Sequence, residues 1–139
     1  MITNTELKKL VKEVKQDAKL AGLKVPSKIE YRISKKMSRS FGRYTEKRSL
    51  NLVTRQYEVS KRIISLSSDL TPEMAKLTLM HEMVHAVAGV KAGHGFEWKL
   101  WAKKVNAMFP HYNIQRLASE EECKKIKEIR KTTRKTRLI

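Results

Sequence analysis

The chain reads as an α+β domain: an N-terminal helix, a small antiparallel β-meander, a buried helix carrying HExxH, and further helices behind it. Three observations predict this class. A capped amphipathic pattern opens the chain. Short period-two segments then follow one another with no helix between them, which favours antiparallel pairing. After Thr71-Pro72 comes a helical stretch apolar on all sides, the mark of a helix enclosed by the rest of the fold.

Residues 3–21 form the first helix. Leu7, Leu10, Val11, Val14 and Ala18 recur at helical spacing, Thr3 and Glu6 have capping-box spacing, and Gly22 is placed to stop it. In the next segment Ile29, Tyr31 and Ile33 alternate with Glu30, Arg32 and Ser34, as in a half-buried strand. Residues 41–45 read as a second strand, Leu50, Leu52 and Val53 as further extended chain, and residues 61–67 as another strand. Residues 28–67 hold eleven Lys or Arg against three Glu, so the solvent face of this sheet is expected to be strongly positive.

Thr71, Pro72 and Glu73 supply an N-cap, a first-turn proline and a first-turn acid for a helix running to about Val90. Gly89, Gly93 and Gly95 mark a break that can use positive φ. A third helix follows, with Phe96, Leu100, Trp101, Val105 and Met108 expected on its inner side, and Pro110 ends it. Ser119 and Glu122 open a last helix with Cys123, Ile126 and Ile129 inward. One domain is expected over 1–130, with 131–139 as a frayed basic tail.

Composition narrows the partners. The 139 residues suit one core, and the net charge of +17 favours polyanions, nucleic acid first. Candidate contacts are Arg39, Arg43, Lys47 and Arg48 on the strands and Lys131, Arg134, Lys135 and Arg137 at the end. A single cysteine, Cys123, excludes an internal disulfide and a cysteine-rich zinc site. The N-terminal segment has no apolar stretch of signal-peptide type, and no run of about 18 apolar residues occurs, so the expected setting is cytoplasmic.

The chemistry centres on HEMVH, residues 81–85. Histidines at i and i+4 leave one helix face a turn apart, a separation that suits two ligands of one tetrahedral zinc ion. Glu82 lies roughly 100° further round the helix, beside the ion and free to take a proton from the attacking water. His94, just past the glycine-rich break, is the third-ligand candidate, with Glu97 as its rival. Met80 and Met83 read as core, and His111 as a turn residue. Trp98 and Trp101 favour packing over base stacking, and Tyr112 is either a packing residue or an oxyanion donor.

HEMVHA followed by GHGFEW resembles the SprT/Spartan family of zinc metallopeptidases. Gly42-Arg43-Tyr44 and residues 63–67 ahead of Thr71-Pro72 are similar to the strands preceding that family's active-site helix. The likeness covers about residues 28–110. It implies a zincin-like fold, one Zn2+ on His81, His85 and His94, Glu82 as acid/base, and protein substrates that are DNA-bound or DNA-crosslinked. Many family members add a C-terminal zinc ribbon, which one cysteine cannot supply, so DNA contact would fall to the basic strands and tail. The competing readings are a nucleic-acid-binding protein with a structural zinc and a short zincin that cleaves a regulator. A monomer is the default.

Overall fold

The computed structural model describes residues 2–37, 40–115 and 120–137, with the backbone alone for 120–122 and 132–137. Helix α1 spans Asn4–Leu20, and strands β1, β2 and β3 span Glu30–Ser34, Gly42–Leu50 and Tyr57–Ser67. Helix α2 spans Pro72–Ala88, followed by a short 3-10 turn at Val90–Ala92. Helix α3 spans Phe96–Met108, a second 3-10 turn occupies Pro110–Tyr112, and helix α4 spans Glu120–Arg137.

Local chemistry sets the helix ends. Thr3 caps the helix by accepting from the Glu6 amide, and its hydroxyl donates to the Glu6 carboxylate. At the other end Leu23 N–H bonds the Ala18 carbonyl and Gly22 N–H bonds Lys19, a Schellman closure with Gly22 at φ +88°. Leu7, Leu10, Val14 and Ala18 then form one buried stripe against the rest of the core. Thr71 caps α2 by accepting from the Met74 amide.

The sheet corrects the meander expectation. Its order is β1-β3-β2, with β1 parallel to β3 and β2 antiparallel to it. Side-chain hydrophobicity explains why β3 takes the middle: Ile64 and Leu66 are fully buried, whereas β2 is mostly polar and suits an edge. Few residues separate β1 from β2, so β1 ends at the end of the sheet where β2 begins; lying on the other side of β3, it then runs parallel to that strand. Leu52 and Val53 belong to the hairpin turn, not to a strand. The Asn51 side chain accepts from the amides of Val53 and Thr54, and Arg55 takes φ +58°, so both apolar side chains project into solvent.

Helix α2 lies between α1, α3 and the sheet and supplies much of the core, including Leu79, Met80, Met83 and Val84, all fully buried. The inner face of α3 also differs from expectation. Trp98, Ala102 and Val105 are buried, while Phe96, Leu100 and Met108 are exposed. The two sets lie on different sides of one helix, and the indole, the largest group available, went inward. Ile126 of α4 is buried, whereas Cys123 and Ile129 are half-buried. Arg130 holds α4 in place. Its guanidinium pairs with Asp69 and donates to the carbonyls of Met37 and Ser40. Helix α4 continues to Arg137. The Ser119 capping position lies outside the described residues.

Candidate metal centre

Helix geometry brings His81 and His85 to one face of α2, and the loop after Gly89 returns His94 to them. Gly89 at φ +90° ends the helix and Gly93 at φ +52° turns the chain, conformations that L side chains adopt at a cost. Gly95 has a negative φ and is needed for another reason: a Cβ there would stand 2.8 Å from the Ala92 carbonyl oxygen.

The three imidazoles converge through their Nε2 atoms. His85 Nε2 is 3.1 Å from His94 Nε2, and His94 Nε2 is 3.4 Å from His81 Nε2. Nitrogens bound to one tetrahedral zinc at about 2.0–2.1 Å stand roughly 3.4 Å apart, so the spacing fits a single such ion. Among the described residues this trio is the one cluster of His, Cys, Asp or Glu whose ligand atoms all lie within 4.8 Å of one another. The rival Glu97 is exposed on α3 and outside the cluster.

Backbone carbonyls orient two of the rings. Gln115 accepts from the His81 imidazole and Gly93 from that of His85. Such bonds leave the opposite ring nitrogen as the donor of a lone pair. The Gln115 carbonyl is itself positioned by Asn106, whose side chain bonds both the amide and the carbonyl of the adjacent Ile114. Trp98 packs against all three rings, with centroids 5.1, 5.4 and 4.6 Å from His81, His85 and His94. The core-packing expectation for this tryptophan therefore holds, with the histidines among its neighbours.

Glu82 is 6% exposed and points toward the sheet side of α2, where the Tyr44 amide donates to its carboxylate. Strand β2 reaches this depth because of Gly42. A Cβ at Gly42 would meet Thr78 Cγ2 at 2.7 Å and Glu82 Cγ at 3.2 Å. Gly42→Ala is therefore expected to push β2 off α2, lowering stability by about 1–3 kcal/mol. Denaturant unfolding checks this, and an unchanged midpoint would count against the close approach.

Electrostatics make the centre ready for a cation. Burial holds His81 down to about 4, aided by the nearby His94 ring. Burial, with His81 and His94 beside it, holds His85 down to about 4. Both are neutral at pH 7, as metal ligation requires. Burial pushes Glu82 up to about 8 against the opposing Tyr44 hydrogen bond.

These shifts set how metal-free stability depends on pH. For each histidine the folded value lies below the ordinary 6.5, so the unfolded chain binds more protons between about pH 4 and 6.5. Their contribution is present above 6.5 and lost as pH falls through that window. The folded value of Glu82 exceeds its ordinary 4.5, so its contribution is present below 4.5 and lost as pH rises to about 8. Two imidazoles outweigh one carboxyl below 6.5, and above it the carboxyl acts alone. Thermal melts of metal-free protein are expected to peak near pH ~6.5, with the alkaline limb missing in Glu82→Gln. A profile flat from pH 5 to 8 would contradict the burial of this trio of groups.

Other candidates fall outside the cluster. Tyr112 is buried and donates to Asp17 on α1, so it ties the second 3-10 turn to the first helix. His111 is exposed and stacks on Tyr112. Arg43, Lys47, Arg48 and Lys131 are exposed. Arg39 lies outside the described residues, as do the side chains of Arg134, Lys135 and Arg137.

The model of the SprT-like family matches residues 6–118, most of the chain. The chain belongs to the SprT-like family. The matched segment runs from α1 past the Gln115 carbonyl and so contains every group of the centre. The chain is also 36% identical over 80 residues to the germ cell nuclear acidic protein of Drosophila melanogaster. That match covers 55% of this chain and 7% of the relative, so the shared part is a small piece of a much longer protein. No solved structure matches the chain. The SprT-like fold seen here is α+β, and among the described residues no helix is long and apolar enough to cross a membrane.

Proposed function

We propose that this SprT-like chain is a zinc-dependent metalloendopeptidase in which His81, His85 and His94 hold the ion and Glu82 is the catalytic base. The observation that carries the reading is the convergence of three Nε2 atoms at 3.1 and 3.4 Å beside a buried carboxylate one residue from His81. A zinc ion held there would supply Lewis-acid polarisation of water and of the scissile carbonyl. The chain's own groups do the rest. Glu82 takes the proton from the attacking water and returns it to the leaving amine. The Tyr44 amide keeps that carboxylate aimed. Strand β2 is an edge of the sheet next to α2, and an extended peptide can add to such an edge.

The substrates we propose are proteins bound or crosslinked to DNA, with the basic surface bringing enzyme and substrate together. Lys47 sits directly opposite Lys61 in the β2–β3 register; Lys61 is paired with Glu30 at 3.0 Å, so it is the exposed Lys47 that an adjacent polyanion would meet. The nuclear name of the Drosophila relative agrees with work near DNA. The expected behaviour is cleavage of a DNA-bound protein that a chelator stops and that weakens as salt rises. Replacing Arg43, Lys47 and Arg48 by Ala should flatten the salt dependence of DNA affinity by roughly 0.7–0.9 log units per log unit of salt for each lost phosphate contact. Chelator-sensitive cleavage that DNA leaves unaltered would favour a regulator-cleaving peptidase. DNA binding without any cleavage would favour a binding module with a structural zinc.

A further inference from the structure

Residues 28–67 hold only three acids, and one of them, Glu46, is turned away from solvent: its side chain is 7% exposed on an otherwise cationic strand. Its partners explain why. Glu46 Oε1 accepts from the Val90 amide at 3.2 Å and from the Tyr44 hydroxyl at 3.1 Å. Its other oxygen, Oε2, lies 3.6 Å from the Arg48 guanidinium. Val90 opens the short 3-10 turn that leads to His94, and it stands 44 residues from Glu46 in the chain. One carboxylate therefore fastens edge strand β2 to the start of the third-ligand loop.

The same strand segment also reaches the base. Tyr44 gives its amide to the Glu82 carboxylate and its hydroxyl to Glu46. Two residues of β2 thus fix the two parts of the site that α2 alone cannot fix: the loop bearing His94 and the direction of the Glu82 carboxylate. His81 and His85 are set by the helix itself. His94 depends on a loop that leaves α2 at Gly89; its ring rests on Trp98, but no residue of the 3-10 turn that leads to it is buried.

We propose that Glu46 is a positioning residue for His94, acting through the Val90 amide to hold the third ligand against the other two. The proposal rests on the reading of the three histidines as a metal centre. It requires of Glu46 an acceptor oxygen more than a negative charge: Oε1, which faces the loop, receives an amide N–H and a hydroxyl, while the Arg48 guanidinium lies 3.6 Å from the other oxygen. Gln should therefore serve in its place and Ala should not.

The test uses Co2+ as the probe, followed by its visible absorption, together with amide exchange of the metal-free protein by NMR. Wild type, Glu46→Ala, Glu46→Gln and His94→Ala are compared. Cobalt affinity is expected to fall about 10–100-fold in Glu46→Ala, the usual effect of losing a group that orients a metal ligand. The spectrum should shift toward that of His94→Ala, and Glu46→Gln should stay within about threefold of wild type. In the metal-free protein, exchange at Val90 should speed up at least tenfold in Glu46→Ala and stay unchanged in Glu46→Gln, with α1 amides unaffected in both. Equal cobalt affinity in wild type and Glu46→Ala would overturn the positioning role, as would equal damage from Ala and Gln. If wild type takes up no cobalt, the metal-centre reading falls and takes the positioning role with it. The Val90 exchange would then still report whether Glu46 holds the loop, so the two failures are told apart.

Discussion

Glu82→Gln is expected to lower the rate of protein cleavage by about 10²–10⁴-fold, the range associated with loss of a general acid–base. The variant should keep its fold and its full complement of metal. Gln has the shape of Glu and retains a carbonyl oxygen to accept from the Tyr44 amide. It also removes a carboxyl that burial pushes up to about 8, so the metal-free variant should be no less stable than wild type at pH 8. A dication beside residue 82 favours the ionised carboxylate, which is the form that can take a proton. The measurement is a single-turnover cleavage assay run beside metal analysis of the same preparation. Residual cleavage within tenfold of wild type would remove Glu82 from its assigned role, whatever the metal content.

The second large effect is on stability. A chain that binds zinc in its folded state only is stabilised by about 4 kcal/mol when free zinc is roughly 1,000 times the dissociation constant. For a domain of this size that corresponds to a rise in Tm on the order of 10–20 °C. His81 and His85 belong to α2, so their positions are set before the ion arrives, and both are neutral near pH 7. Chelation should therefore lower Tm without abolishing the fold, because the core of Leu79, Met80, Met83 and Val84 lies within packed apolar surroundings. His85→Ala should show the lower Tm and no response to zinc. A Tm insensitive to both chelator and added zinc would contradict the centre.

What could be read from the sequence was what local rules determine. Both caps of α1 and the N-terminus of α2 follow from residues within three or four positions of each other, and they fold as read. The pair His81 and His85, with Glu82 between them, was legible for the same reason: a helix fixes their directions. His94 was legible from the glycine break, although Gly95 proved to serve a close contact and not a positive φ. Strand order was not legible, because the choice of neighbour for β1 depends on which strand buries the most apolar surface, a property of the assembled sheet. The inward face of α3 was misjudged because Phe96 and Leu100 share helical spacing with Trp101, and nothing local says that Trp98 will close the histidine cluster. Glu46 and Tyr44 were missed as site residues. The available signal was an acid standing among cations on an edge strand, but the partner that explains it, the Val90 amide, is 44 residues away.

The proposed chemistry needs three ring nitrogens gathered around one cation. Metal analysis of purified wild type against His81→Ala, His85→Ala and His94→Ala tests this most directly. One zinc per wild-type chain, with occupancy falling sharply in every one of the three variants, is the expected result. Wild-type protein that holds no metal after exposure to zinc, or a His94→Ala variant that holds it as tightly as wild type, would contradict it.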